Sequence, residues 1–216
     1  KREDIDIVTA CGFSKGMTPL NDYTRRINAL KPASLAILPV RYAFILQERA
    51  KIASLDENTA KKLFPKAKFS ILDHHLGHAA SAFYTSGWKK AITITADGWG
   101  DSLSNGAYAC NGKEIKLIHS SSELDSVGYF YGRVTTALGF KFHRHEGKIT
   151  GLAAFGKPLP ELLENMKKMI WFNKKEMRFD SSIDSINAPF GNHFLQNLKN
   201  FYSKFKREDV ACSAQQ

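Results

Sequence analysis

Residues 69–101 read FSILDHHLGHAASAFYTSGWKKAITITADGWGD, from Phe69 to Asp101. An imidazole cluster, a run of small residues, an apolar segment and an acidic turn flanked by glycines follow one another. His74 and His78 are four apart, so a helix stacks them on one face, one turn from each other. That is the spacing at which two imidazoles can hold one metal ion. His75 points about 100° away on the same helix and must have another task. Downstream, Ala91–Thr95 is apolar or β-branched and predicts a buried strand, with Gly98 and Gly100 marking a turn after it. Asp97 then sits at the strand end, beside backbone that a ligand can approach. Two imidazoles and one carboxylate form a nitrogen–nitrogen–oxygen set, suited to iron, zinc or manganese rather than calcium or magnesium.

Plainer readings stand beside this one. An isolated His pair at helical spacing is more often a surface or capping feature than a metal site. Asp73 alone fits an N-cap, and Asp97-Gly98 alone fits a hairpin turn. One sharp alternative is excluded. A zincin helix needs Glu directly after its first His as general base, and here His75 stands there.

The chain has 216 residues, 43% of them hydrophobic, enough for a sizeable core and one or two domains. It contains no uninterrupted apolar run of about 18 residues, so no membrane partner is expected. Cys11, Cys110 and Cys212 are odd in number and widely spaced, and no basic-then-apolar leader is visible. The expectation is a reduced, cytoplasmic protein. The net charge of +10 comes mainly from residues 1–70, with 13 Lys/Arg against 7 acids, and never forms a long run. Such a face suits phosphorylated small ligands as well as nucleic acid. No zinc finger, RNP-like aromatic pair or helix-turn-helix supports nucleic acid, which is not expected as a partner.

Around the central stretch, a strand is predicted at Ile5–Cys11 and a Pro-punctuated connection at Pro32–Pro39. Helical spacing covers Arg41–Ser54, and a short polar helix at Asn58–Leu63 leads to a strand at Phe69–Leu72. Asn111-Gly112 predicts a type I′ hairpin joining Ser104–Cys110 to Lys113–Ser120. Residues 126–139 read as a buried helix whose glycines allow close packing. In residues 142–158, Glu146, Lys148 and Gly151 precede an apolar helix closed by Gly156 and Pro158. Backbone N–H groups at such a start favour an anion, and Lys148 adds a charge; the plain reading is a capped helix. His143 and His145 are read as solvated or phosphate-facing. Helices are expected at Leu162–Phe172 and His193–Phe205, a short strand at Lys174–Asp180, a loop at Ser181–Pro189 and the first turns of a helix from Arg207.

Three blocks together, DHHLGHAASAFYTSGW, TADGWGDSLS and SVGYFYGRVTTALGFKFHRHEGKITGLAAFGKP, resemble the O-carbamoyltransferases of nodulation-factor and antibiotic biosynthesis. The likeness covers roughly Phe69 to Pro158. It implies an α/β fold of the actin/Hsp70/sugar-kinase (ASKHA) type, mixed sheets flanked by helices. That family is similar, in its N-terminal part, to the ATPase-like enzyme that makes threonylcarbamoyladenosine on tRNA. The implied chemistry has two steps: carbamoyl phosphate and ATP give carbamoyl-adenylate, then the carbamoyl group passes to a hydroxyl of a small acceptor. By position, His74 and His78 match the family's iron ligands, and Asp97 matches its carboxylate ligand. Glu146, Lys148 and Gly151 match the block near the nucleotide ribose and phosphate. No residue is assigned as catalytic.

Two positions depart from the family's wording: Asp101 stands where Glu is common, and His143–Gly147 replaces a Ser-Gly-Glu-Tyr-like run. The resemblance also implies that residues 1–216 are a fragment of the N-terminal carbamoyltransferase domain, inactive alone. The opening phosphate loop would precede it, and a second carboxylate ligand and the adenylate-forming domain would follow. Two other functions stay open at this point: an ATPase or sugar kinase of the same fold, and a binding module that has lost the chemistry. A kinase has no need of the His pair.

Overall fold

The computed structural model describes residues 4–11, 58–101, 103–182 and 192–216. The expectations for Pro32–Pro39 and Arg41–Ser54 lie outside these residues. The described chain is mixed α/β. Strands β1 (Ile7–Cys11) and β2 (Lys68–Leu72) pair in parallel, and residues 58–63 are helical before β2. Helix α1 (His74–Thr85) follows, then an antiparallel meander of β3 (Lys90–Gly100), β4 (Leu103–Asn111) and β5 (Glu114–Ser122). Helices α2 (Val127–Ala137), α3 (Glu146–Ala153) and α4 (Pro160–Met169) lead into a small hairpin, β6 (Ile170–Asn173) and β7 (Arg178–Ser181). Helices α5 (Asn192–Tyr202) and α6 (Arg207–Ser213) complete the described chain.

Among the described residues, two apolar clusters hold most of these elements from α1 onward. The smaller joins α1 to the meander through Ala79, Phe83, Tyr108 and Cys110. The larger is helical and gathers Phe130 and Val134 of α2 with its C-cap Leu138, Ile149 of α3, Leu162 and Met166 of α4, and residues of α5 and α6. Glycine allows one close crossing: a Cβ on Gly156 would overlap the Glu208 backbone. Arg207 then ties α6 to α2 by donating from Nη2 to the Leu138 carbonyl at 2.8 Å. Among the described residues no helix is long and apolar enough to cross a membrane.

Several expectations need correction. The strand after α1 does not end at a glycine turn. β3 runs on to Gly100, and its ladder with β4 breaks after the Ala96–Asn105 pair and resumes at Gly100–Leu103. Asp97 therefore lies in a bulge within the strand, the kind of irregularity that re-aims a side chain. Nor is β3 buried on both faces. Thr93 and Thr95 point inward toward α1, while Ile92 and Ile94 are 61% and 76% exposed. Hydrogen bonding decides this: Thr93 Oγ1 meets Cys110 Sγ at 3.3 Å and Thr95 Oγ1 meets His75 Nδ1 at 2.9 Å. The period of two then sends both isoleucines to the other face.

The hairpin forms, but its turn is not type I′. Asn111 pairs with Glu114, so Gly112 and Lys113 are the central residues, and only Gly112 has a positive φ (60°). Glycine at the first central position is the type II′ pattern. The helix expected over Leu162–Phe172 ends at Met169, and the expected Lys174–Asp180 strand is a four-residue loop entering β7. Asn173 makes that loop by accepting from the N–H groups of Lys175 and Glu176, at 3.1 and 3.2 Å.

Candidate metal centre

Helix α1 begins where Asp73 caps it, its Oδ1 accepting from the Leu76 N–H at 2.7 Å. The first helical residues are thus His74 and His75, and His78 follows one turn on. The rings divide their work as the 3.6-residue period requires. His75 is fully buried. Its Nε2 meets the Leu103 carbonyl at 3.1 Å, and a carbonyl can only accept, so Nε2 carries the proton. Nδ1 of the neutral ring then accepts the Thr95 hydroxyl hydrogen. Burial lowers the His75 pKa and keeps the ring neutral. His75 is a clamp between α1, β3 and β4, not a ligand.

His74 and His78 turn to the other side and meet Asp97. His74 Nε2 lies 2.7 Å from Asp97 Oδ2, His78 Nε2 lies 3.4 Å from the same oxygen, and the two Nε2 atoms are 3.0 Å apart. These three form the one cluster of potential metal-binding side chains among the described residues. Burial raises the Asp97 pKa, but the His74 hydrogen bond, the Gly98 N–H and the imidazole charges outweigh it and hold the carboxyl below its usual range. The Gly98 N–H bonds to Oδ1 at 2.6 Å, leaving Oδ2 turned to the imidazoles.

The donor set fits a first-row divalent ion. Ligands held at about 2.0–2.2 Å are separated by about 2.9 Å at a right angle and about 3.4 Å at a tetrahedral angle. The separations of 3.0 and 3.4 Å fall in that range, and the His74–Asp97 hydrogen bond of 2.7 Å lies just below it. All three side chains are partly exposed, at 26%, 53% and 39% for His74, His78 and Asp97, so a small molecule can reach the centre.

Asp97 is positioned from α2, the helix expected over residues 126–139. Ser126 caps α2 by accepting from the Tyr129 N–H at 3.0 Å and also donates to the Asp97 carbonyl at 3.2 Å. Gly128 lets the helix start press against the bulge: a Cβ there would lie 2.9 Å from Gly98 Cα and 3.0 Å from the Asp97 carbonyl oxygen. The Ser126-Val127-Gly128 cap signal is readable in sequence, but its target is not.

Among the described residues, no hydrogen bond or ion pair joins the second predicted group to this cluster. Glu146, Lys148 and Gly151 lie within α3 rather than ahead of it. Glu146 Oε1 accepts from the His143 N–H at 2.6 Å, and the Lys148 N–H is taken by the His145 carbonyl at 2.9 Å. Lys148 and Gly151 face solvent. His145 has its pKa lowered by burial and then by Lys148, Lys141 and Arg144, so the segment is electropositive.

A mixed α/β chain with this centre can be placed among known proteins. The chain belongs to the carbamoyltransferase N-terminus family, whose profile matches residues 20–216. A protein of Methanocaldococcus jannaschii described as uncharacterized is 32% identical over 170 residues, 72% of this chain and 27% of that relative. Nodulation protein NolNO of Sinorhizobium fredii is 34% identical over 117 residues, covering 50% of this chain and 17% of the relative. Nodulation protein NolO of Bradyrhizobium diazoefficiens is 37% identical over 87 residues, 40% of this chain and 16% of its own length. The chain spans between about a sixth and a quarter of the relatives it matches.

Proposed function

We propose that this chain supplies the metal-holding part of an O-carbamoyltransferase with an ASKHA-type fold, working on a small hydroxylated acceptor. The observation that carries the reading is the convergence of His74 Nε2, His78 Nε2 and Asp97 Oδ2 within 3.4 Å, in a chain of the carbamoyltransferase family. A divalent ion there, with iron(II) the proposed metal, would polarise a carbamoyl carbonyl toward attack by a hydroxyl. His74 and His78 would present unprotonated Nε2 atoms, and Asp97 an ionised Oδ2. Ser126 and Gly128 would hold the Asp97 backbone, and His75 the helix carrying both ligands.

Carbamoyl phosphate and ATP are the proposed co-substrates, with Glu146, Lys148 and Gly151 on the nucleotide side. Two features of α3 support this. Lys148 adds an ammonium on an exposed face, and Gly147 and Gly151 have no packing neighbour that requires glycine. A glycine inside a helix costs roughly 1 kcal/mol against alanine, so bare backbone on that face suits a ligand's close approach. Lys148 would stabilise the charge on an adenylate phosphate as it leaves.

The test is label transfer from carbon-14 carbamoyl phosphate, with ATP, to a panel of sugars and other hydroxylated acceptors. The gene product should be assayed with its flanking sequence. Transfer that vanishes in His74→Ala supports the reading, and transfer unchanged in that variant contradicts it.

A further inference from the structure

The turn between β3 and β4 is built around His74, and neither Gly100 nor Asp101 is needed there by the ladder alone. Gly100 is buried, and a Cβ on it would overlap the His74 imidazole. Asp101 is 7% exposed and sits at φ 49°, a left-handed conformation in which a non-glycine residue is uncommon. Its Oδ2 accepts from the His74 backbone N–H at 2.7 Å. That N–H opens α1, where no carbonyl of the helix can serve it. Glycine would adopt this φ at lower cost, so the turn itself does not explain a buried aspartate. Its carboxylate contacts the residue whose ring stands against Asp97.

We propose that Gly100 and Asp101 are positioning residues for the metal centre, acting through His74. Gly100 opens the space in which the ring lies, and Asp101 fixes the backbone from which it projects. Together they set the His74 Nε2 to Asp97 Oδ2 distance of 2.7 Å. This rests on the metal reading above. Partners behind metal ligands typically change metal affinity about 10–100-fold when removed, which sets the scale of the expected effect.

Three variants separate this role from a plain turn role. Asp101→Gly keeps the positive φ and removes the carboxylate, Asp101→Asn keeps both the φ and an acceptor oxygen, and Gly100→Ala crowds the ring while leaving Asp101 in place. Cobalt(II) affinity and the cobalt visible spectrum are read for each. Asp101→Gly should bind cobalt about 10–100-fold more weakly with an altered spectrum, while Asp101→Asn stays within about threefold of wild type. Gly100→Ala should alter the spectrum as well. If Asp101→Gly does not fold, Gly100→Ala and Asp101→Asn decide the matter. Wild-type affinity and spectrum in Asp101→Gly or Gly100→Ala overturn the proposal, as does an Asp101→Asn as weak as the glycine variant. If wild type itself takes up no cobalt, the metal reading falls separately. The imidazole nitrogen-15 shifts of His74 and His78 then decide the positioning role: a change in Asp101→Gly sustains it and unchanged shifts overturn it.

Discussion

Helices α1 and α3 both open on a run of histidine, glutamate or glycine that reads as a binding site, yet the structure treats them differently. Beyond the local Asp73 cap, the imidazoles at the start of α1 are held by groups distant in sequence. His75 bonds to Thr95 and Leu103, and His74 to Asp97, so each contact spans at least 20 residues. The start of α3 is held locally: His143 N–H to Glu146, His145 N–H to Lys141 and Lys148 N–H to His145. A centre made by long-range contacts exists only in the folded chain and has a fixed geometry before any ligand arrives. One made locally, with Glu146 and His145 bonded to residues three and four away and Lys148 exposed, can be completed by what binds. The first arrangement suits a metal with set bond lengths; the second suits a nucleotide that brings its own shape.

The comparison can be broken first at Asp97. Removing one of three ligands by Asp97→Ala should weaken cobalt or zinc binding by at least about 100-fold. The fold should survive, which a thermal melt beside the binding isotherm checks. Next comes the clamp. His75→Phe fills the same space but leaves the Leu103 carbonyl and the Thr95 hydroxyl without their partner. It should cost about 2–4 kcal/mol in urea unfolding. The sign with pH is fixed too. The folded state holds His75 below its ordinary pKa of 6.5, so its contribution is full above that pH. It is lost as pH falls, since the unfolded chain then binds the extra proton. The phenylalanine variant should show a flatter stability profile between pH 7 and about pH 5.

A smaller effect separates the turn from the chemistry. Gly112→Val places a β-branched residue at φ 60° and should destabilise by about 1–2 kcal/mol while leaving cobalt affinity unchanged. The smallest effect on stability belongs to α3. Lys148→Met should shift the unfolding free energy by no more than about 0.5 kcal/mol, because its side chain is exposed. In carbamoyl transfer it should cost about ten- to a hundredfold, the worth of one charge-assisted contact. Wild-type turnover in that variant would remove α3 from the nucleotide site.

The amino-acid sequence made some of this legible and hid the rest for physical reasons. His74 and His78 were readable because a helix fixes the relation of residues four apart. Asp97 was readable as a carboxylate beside glycines, but the bulge was not, since it depends on where β4 resumes pairing. The inward-facing threonines of β3 ran against their hydropathy because His75 and Cys110 offer partners that isoleucine cannot use. Gly128 was readable as a packing glycine; that it braces Asp97 together with Ser126 needed the tertiary contact. Asn173 turned the start of the expected Lys174–Asp180 strand into a loop through side-chain bonds to the Lys175 and Glu176 N–H groups, a local competition that apolar periodicity does not register.

The central claim is that His74, His78 and Asp97 hold one ion together, and the most direct measurement is an anaerobic titration of the protein with cobalt(II), followed by calorimetry and visible absorption. The account predicts one site per chain in wild type. It predicts affinity at least about tenfold lower, with an altered spectrum, in His78→Ala. Equal affinity and an identical spectrum in the two proteins would contradict it.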